Sequence, residues 1–259
     1  MQSERKSTVL LEYHLKQLKL PTMLKEYSQL AQQCSQDKSD YPTYLLRLCE
    51  KESSDRHKRA MDRRINNANF PMLKTIDSFD FSLQKSINEP LIRELLGCEF
   101  IEKTENVLFM GNSGTGKTHL ATALGFAACC RGYNVRFYGC TCLVTQLLEA
   151  REEKQLQRII NQLSKHDLLI LDELGYVPFS KMGAELLFEV VSRAYERQSL
   201  IITTNLPFEN WIEVCGSERL TGAMLDRLTH KVHIVEANGV SYRLEQSRKR
   251  LAGKQKLTV

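Results

Sequence analysis

Apolar residues in the first quarter of the chain recur at helical spacing. Leu11, Leu15 and Leu18 stand at positions i, i+4 and i+7, and similar spacing returns twice before residue 50. Proline suits the first turn of a helix and tends to end the helix before it, so Pro21 and Pro42 mark boundaries near positions 20 and 40. The pattern predicts three short helices, which we assign to a small all-helical N-terminal domain over residues 1–68, with an expected role in DNA binding or oligomerisation.

Farther along, short apolar runs alternate with longer segments of helical pattern. The runs lie more than twenty residues apart, which is too long for hairpins and suits crossover helices. This spacing predicts parallel strands buried between helices, and we therefore expect an α/β fold for residues 85–259. Residues 69–84 show neither period and predict a linker that also docks against the core. The five predicted strands are 106–111, 134–139, 168–173, 199–204 and 231–236.

Composition narrows the class of protein. Of the 259 residues, 42% are hydrophobic and 26% are charged, which is typical of a folded globular chain. No apolar run approaches the roughly 18 to 20 residues that span a bilayer, and the first residues lack the apolar stretch of a signal peptide. We therefore expect a cytoplasmic protein without a membrane partner.

The eight cysteines include no C-x-x-C pair, and a metal site on Cys140 and Cys142 lacks two further ligands at close spacing.

The net charge of +5 is unevenly distributed. Residues 1–70 hold 13 Lys and Arg against 9 Asp and Glu, residues 71–240 hold 17 against 21, and residues 241–259 hold 6 against 1. An acidic middle between two basic ends predicts a globular body with cationic attachments that favour a polyanion. The plainer alternative is that the basic segments are solvated surface.

A complete phosphate-loop motif follows the first predicted strand and opens a helix. The stretch from Gly111 to Thr118 reads G-x-x-x-x-G-K-T. Its glycines permit the backbone to approach phosphate oxygens closely, and the helix N-terminus adds a favourable field. Lys117 is expected to reach the β- and γ-phosphates of ATP, and the Thr118 hydroxyl to ligate Mg²⁺. The predicted nucleotide-binding set is Gly111, Asn112, Ser113, Gly114, Thr115, Gly116, Lys117, Thr118 and His119.

Two carboxylates close the third predicted strand, in the sequence LLILDE. We expect Asp172 to hold the magnesium ion through water, and Glu173 to orient and deprotonate a water that attacks the γ-phosphate. A second carboxylate beside the metal-binding one favours ATP hydrolysis over transfer of the phosphoryl group to a small molecule.

Three further residues are candidates for contact with the γ-phosphate. Asn205 follows the fourth strand, at the sheet edge where parallel sheets bind ligands, although a turn or cap role is an equal alternative. Arg227 lies late on a helix before the last strand, and Arg243 lies just after that strand. Either arginine suits charge neutralisation, in cis or from a neighbouring subunit. Pairing with acids on its own helix is the alternative for Arg227.

A stripe of cations on the third helix is the candidate DNA contact. Arg56, Arg59 and Arg63 stand at i, i+3 and i+7, hence on one helix face. Lys58 and Arg64 adjoin the stripe, which runs along roughly 10 Å of helix. No base-reading motif is visible, so the expected binding is to the backbone of double-stranded DNA, salt-sensitive and weakly selective. A plain solvated face is the alternative.

The combination of motifs resembles a known family. The phosphate loop, LLILDE, TTN and LDRL, in this order, are similar to the AAA+ ATPase core of the clade that includes DnaA and DnaC. More closely, the chain resembles IstB, the helper ATPase that insertion sequences encode beside their transposase. The similar stretches are NANFPMLKTIDSFDF, GNSGTGKTHLATALG, LLILDELGY, TTNLPFENW and TGAMLDRLTHKVHIVEANGVSYR.

This resemblance implies an AAA+ strand arrangement, an ATP-dependent homo-oligomeric ring or spiral on duplex DNA, and delivery of target DNA to the cognate transposase. It also implies that Arg227 is an arginine finger and Arg243 a second sensor. Only 16 residues follow Arg243, so a helical lid is expected to be reduced or absent. Two alternatives stay open: a DnaC-like helicase loader, and a DNA-binding module that uses nucleotide as an assembly switch without turnover.

Overall fold

The computed structural model describes residues 2–239, 241, 242 and 244. The chain divides into two compact units, Met1–Arg63 and Arg64–Val259. The tasks that we assigned to the domains 1–68 and 85–259, and to the linker between them, stay predictions. The expected reduction of the lid concerns residues after Arg243, and of these all but Leu244 lie outside the described part of the chain.

The first unit contains the three helices that the apolar spacing predicted. Helix α1 spans Gln2–Gln17, α2 spans Pro21–Gln36 and α3 spans Tyr41–Ala68, the last turns of which belong to the second unit. Pro21 occupies the first position of α2, where its missing N–H has no intrahelical partner to lose. The predicted boundaries near positions 20 and 40 are therefore confirmed.

A buried carboxylate caps the start of α2. Leu20, at the N-cap, offers no side-chain hydrogen bond, and Glu52 of α3 accepts the backbone N–H of Thr22 at 2.8 Å and of Met23 at 3.1 Å instead. Arg59 donates to the same carboxylate at 3.0 Å and to the Thr22 hydroxyl at 2.8 Å. Glu52 thus replaces the missing cap, and its charge is matched by a neighbouring arginine.

The second unit is built on a five-stranded, entirely parallel sheet in the order β2-β3-β4-β1-β5. All five strands that the apolar runs predicted are present, within a residue or so of the expected limits. The strands are β1 Asn106–Met110, β2 Val135–Gly139, β3 Leu168–Leu174, β4 Ser199–Thr204 and β5 Val232–Glu236. The helices are α4 Glu89–Leu95, α5 Glu99–Glu102, α6 Lys117–Arg131, α7 Cys140–Glu152, α8 Leu156–Leu163, α9 Lys181–Ala194, α10 Trp211–Cys215 and α11 Glu218–Thr229.

Helices cover both faces of this sheet, as its apolar strands require. Alternate residues of β3 enter different cores, since Leu169 and Leu171 pack with α7, α9 and α11, whereas Leu168 and Ile170 pack with α4, α5 and α6. The α/β architecture predicted from the sequence is confirmed. Because all strands run in one direction, their carboxyl ends share one edge of the sheet.

None of the helices in residues 2–239 is long and apolar enough to cross a membrane. The eight cysteines are unpaired thiols, and within the described residues no cluster of three or more His, Cys, Asp or Glu side chains is placed to hold a metal ion.

We predict that Glu52→Ala weakens the start of α2. The substitution leaves two backbone N–H groups and Arg59 without their acceptor, which should lower the local free energy of opening by about 2 kcal/mol. Hydrogen–deuterium exchange of the α2 amides measures this directly. Glu50→Ala, an exposed site on the same helix, is the matched control, and equal exchange in the two variants would contradict the capping role.

Candidate phosphate-binding site

The phosphate loop connects the end of β1 to the start of α6, as the motif predicted. Gly114 and Gly116 have positive φ values of 80° and 95°, a backbone region that residues with a Cβ rarely adopt. A Cβ on Gly116 would also lie 2.6 Å from the ring of Phe79. The loop conformation therefore depends on glycine at both positions, and the helix N-terminus at Lys117 faces the space it encloses.

Lys117 is buried against the loop. Its ammonium donates hydrogen bonds to the carbonyl oxygens of Gly111 at 2.7 Å and Asn112 at 2.6 Å. The Thr115 hydroxyl donates to the same Asn112 carbonyl at 2.8 Å and helps to close the turn. These contacts hold a cation at the centre of the loop, where it is placed to interact with an anion.

The Asp172 carboxylate joins three parts of the site. Its Oδ1 atom accepts a hydrogen bond from the Thr118 hydroxyl at 2.9 Å and from the Thr203 hydroxyl at 2.6 Å. Thr118 is on α6, Asp172 on β3 and Thr203 on β4. The structure thus brings together the two residues that the sequence nominated as magnesium ligands, and adds a threonine that it did not nominate.

Glu173 is held in an unusual backbone conformation. Its φ of 61° lies in the left-handed region, and the β3–β4 register shifts between Leu171 and Leu174. The Thr203 hydroxyl accepts the Glu173 backbone N–H at 2.9 Å. As a result Asp172 is buried, while the next side chain, that of Glu173, is exposed and faces the cavity beside the phosphate loop.

That cavity has a volume of about 630 Å³, within the usual range for small-molecule sites. One wall is the phosphate loop from Ser113 to His119, and another comes from residues 72–84, which lie within the predicted linker 69–84. Glu173 and Thr203 lie between them. The linker therefore forms part of the site instead of merely connecting two regions.

His119 attaches that wall to α6. Its Nε2 atom lies 2.9 Å from the Thr75 carbonyl oxygen and 3.2 Å from the Ser78 hydroxyl, and its ring meets the Phe79 ring edge-on at 5.2 Å. Burial lowers the pKa of His119, so the imidazole is neutral at pH 7, with Nε2–H donating to Thr75. Besides lining the cavity, His119 thus secures its linker wall.

The remaining candidates lie at different places. The Asn205 side-chain oxygen is buried and has no hydrogen-bond partner within the described residues, and Asn205 is not among the residues that line the cavity. Arg227 donates to the Ala223 carbonyl at 2.8 Å and stacks over the Phe188 ring at 4.7 Å. It forms no ion pair within residues 2–239. Arg243 lies outside the described residues.

Arg227 is at the opposite edge of the sheet from the phosphate loop. It lines a small depression with Asn106 and Leu200, which lie at the amino ends of β1 and β4. The phosphate loop follows the carboxyl end of β1. The length of a strand therefore separates Arg227 from the cavity of its own chain.

The predicted DNA contacts differ in their surroundings. Arg56 and Arg59 are engaged inside the first unit, where Arg56 donates to the Lys19 carbonyl at 3.2 Å and Arg59 to Glu52. Lys58 and Arg63 are exposed. Arg64 belongs to the second unit and lies beside Gly132. The stripe thus combines two arginines that stabilise the helical unit with cations that face solvent.

Several residues that line the cavity were not predicted from the sequence, among them Thr203 and Tyr176. Asn205 was the residue predicted near the end of β4, whereas Thr203 is the one that contacts Asp172. The Tyr176 hydroxyl donates to the Ser113 hydroxyl at 3.1 Å across the cavity mouth. Alternation along a strand offers a signal for Thr203, because a residue facing the β3 carboxylate must be on the matching face of β4.

Comparison with known proteins agrees with this geometry. The family model described as IstB-like ATP binding protein matches residues 13–250. The chain belongs to this family. A protein of insertion sequence IS21 from Pseudomonas aeruginosa, described as ATP-binding, is 39% identical over 92% of this chain and 90% of its own length. Its counterpart of IS5376 from Geobacillus stearothermophilus is 41% identical over 89% and 92%.

The IstB-like fold is also found in replication initiators. The AMPPCP-bound structure of DnaA from Aquifex aeolicus aligns with a TM-score of 0.53 and 22% identity, covering 71% of this chain and 56% of that one. This likeness confirms the predicted fold, a five-stranded parallel sheet between helices.

We predict that Thr203→Val lowers stability by about 1 to 3 kcal/mol, because it removes a donor to a buried carboxylate while keeping the side-chain shape. Urea denaturation measures the change. Thr203→Ser retains the hydroxyl and should recover most of the loss. If valine and serine variants were equally stable, the hydrogen bonds would not be the reason for the threonine.

Proposed function

We propose that this protein is an ATPase that hydrolyses ATP to ADP and phosphate, assembles on duplex DNA, and assists the transposase of an insertion sequence. The single observation that supports hydrolysis best is the arrangement around Asp172, with Thr118 and Thr203 on its carboxylate and Glu173 directed into the cavity. Membership of the IstB-like ATP binding protein family supports ATP as the nucleotide.

The chain's own groups suit each part of ATP. The loop N–H groups and Lys117 bind the β- and γ-phosphates, and Lys117 exchanges its loop carbonyls for phosphate oxygens. The hydroxyl of Thr118 and the carboxylate of Asp172 are oxygen ligands of the type that Mg²⁺ prefers, and they already adjoin one another. Bound Mg²⁺ would neutralise phosphate charge. The linker wall of residues 72–84 receives the rest of the nucleotide.

Glu173 acts as the general base. It accepts a proton from water as the water oxygen bonds to the γ-phosphorus and the bond to the β–γ bridging oxygen breaks. Thr203 is a positioning residue, because its hydroxyl fixes the backbone N–H of Glu173 and the carboxylate of Asp172 at once. Asn205 does not line the cavity in this structure, so its proposed contact with the γ-phosphate or the attacking water requires its side chain to turn toward the nucleotide. An exposed, oriented Glu173 favours turnover over a purely nucleotide-bound switch.

Arg227 acts on the cavity of a neighbouring subunit. It lies at the far edge of its own sheet, so it reaches a γ-phosphate only in trans. Such an arrangement makes hydrolysis depend on assembly into a homo-oligomer.

Duplex DNA and the transposase are the partners that we propose. Both relatives belong to insertion sequences, and the matched region includes most of the helical unit. The exposed cations Lys58 and Arg63 suit the DNA backbone. A helicase loader shares the core, but similarity to insertion-sequence proteins across about 90% of the chain favours the transposition role.

We predict that Glu173→Gln lowers ATP turnover by about 100-fold or more while ATP binding is retained, because the amide cannot accept the proton. Steady-state phosphate release and equilibrium binding of a fluorescent ATP analogue separate the two effects. The same change at Glu185, an exposed residue of α9, is the control and should leave turnover intact. Wild-type turnover in the Glu173 variant would remove this residue from the mechanism.

A further inference from the structure

A second concave surface lies at the amino end of β2, the edge strand of the sheet. It encloses about 450 Å³ and is lined by the cations Arg64, Arg136 and Lys165 and the imidazole of His166, together with the side-chain amides of Asn67 and Gln162. No carboxylate is among the described residues that line it. We call this surface the β2 groove.

The β2 groove is separate from the nucleotide cavity. The pairing of Val135 with Leu168 places it where β2 and β3 begin, whereas the phosphate loop lies where the strands end. The nearest acid in sequence, Asp167, is turned to the backbone, where its carboxylate accepts the N–H of Asn134 at 2.7 Å. The groove therefore has a positive character of its own.

This charge contrasts with its surroundings. Residues 71–240, which make up most of the second unit, contain 17 Lys and Arg against 21 Asp and Glu and so have a net negative charge. A local cluster of cations on a body with an excess of acidic residues is a favourable place for a polyanion to bind.

The donors of the groove are partly preorganised. Arg136 donates to the Asn67 carbonyl at 2.7 Å, and its guanidinium stacks on the Tyr138 ring at 5.2 Å. A guanidinium has five N–H donors, so others stay available after this contact. Lys165, which also lines the groove, is exposed. Guanidinium, ammonium and amide donors are the groups that contact phosphate and sugar.

We propose that the β2 groove binds the sugar–phosphate backbone of duplex DNA, as a contact surface on the ATPase core additional to the exposed cations of α3. This inference rests on the proposed function, because it takes duplex DNA as the partner. It assigns DNA contact to Arg136, Lys165 and His166, and it places Arg64 in the groove.

The test is the salt dependence of duplex binding by the full-length protein. Each phosphate contact contributes about 0.9 to the slope of log K against log salt concentration. Lys165→Gln should therefore reduce the slope by about 0.9, and weaken binding about fivefold at 0.15 M salt. Adding Arg136→Gln should reduce the slope by about 1.8 in total. Fluorescence anisotropy of a labelled duplex with a non-hydrolysable ATP analogue measures both quantities.

The matched control is Lys154→Gln with Lys181→Gln, which removes the same charge at two exposed lysines outside the groove. Its slope should stay at the wild-type value. The proposal is overturned if Lys165→Gln leaves slope and affinity unchanged, or if the control loses as much as the groove variant. If the wild-type protein binds no duplex at all, the proposed DNA-loaded function fails with it. Circular dichroism verifies that each variant is folded. If Arg136→Gln unfolds, the single variant at the exposed Lys165 still tests the proposal.

Discussion

The organisation of the second unit depends on the hydrogen bonds to the Asp172 carboxylate. Through Oδ1 it connects the first turn of α6, the end of β3 and the end of β4, by way of Thr118 and Thr203. A buried carboxylate is costly unless donors surround it, so these bonds are needed for stability as well as for position. Thr203 then fixes the backbone of Glu173, which directs the next carboxylate outward. In the proposed mechanism, this arrangement assigns metal binding to Asp172 and proton acceptance to the adjacent Glu173.

The carboxyl and amino ends of the parallel strands form two edges of the sheet that carry different sites. At the carboxyl edge, loops and helix N-termini form the nucleotide cavity, and residues 72–84 complete it. At the amino edge lie Arg227 and the β2 groove, which face away from the nucleotide of the same chain. In the proposed assembly, this edge is where the protein contacts a neighbouring subunit and DNA. Hydrolysis then requires a partner because the strand length keeps Arg227 from its own cavity.

Much of this architecture could be predicted from local patterns. Runs such as Leu168–Leu171 specify buried strands, and the glycines of the phosphate loop, with Lys117, specify its conformation. What escaped prediction depends on contacts distant in sequence. Thr203 reaches Asp172 because β3 pairs with β4, and residues 72–84 line the cavity with His119 bonded to Thr75. Likewise, the charge stripe on α3 did not reveal that Arg59 is paired with the buried Glu52. Glu52 is buried because it caps α2, a different helix, and that contact is not visible in the sequence of α3.

The central claim is that an ATP-hydrolysing site is completed between subunits on DNA. ATP turnover per chain, followed over a range of protein concentrations with and without duplex DNA, tests it most directly. The account predicts that turnover per chain rises with protein concentration and rises further with DNA, because each added neighbour contributes an arginine. In other P-loop NTPases such an arginine raises turnover by about 1000-fold or more. Turnover per chain that is constant at all concentrations and indifferent to DNA would contradict the account.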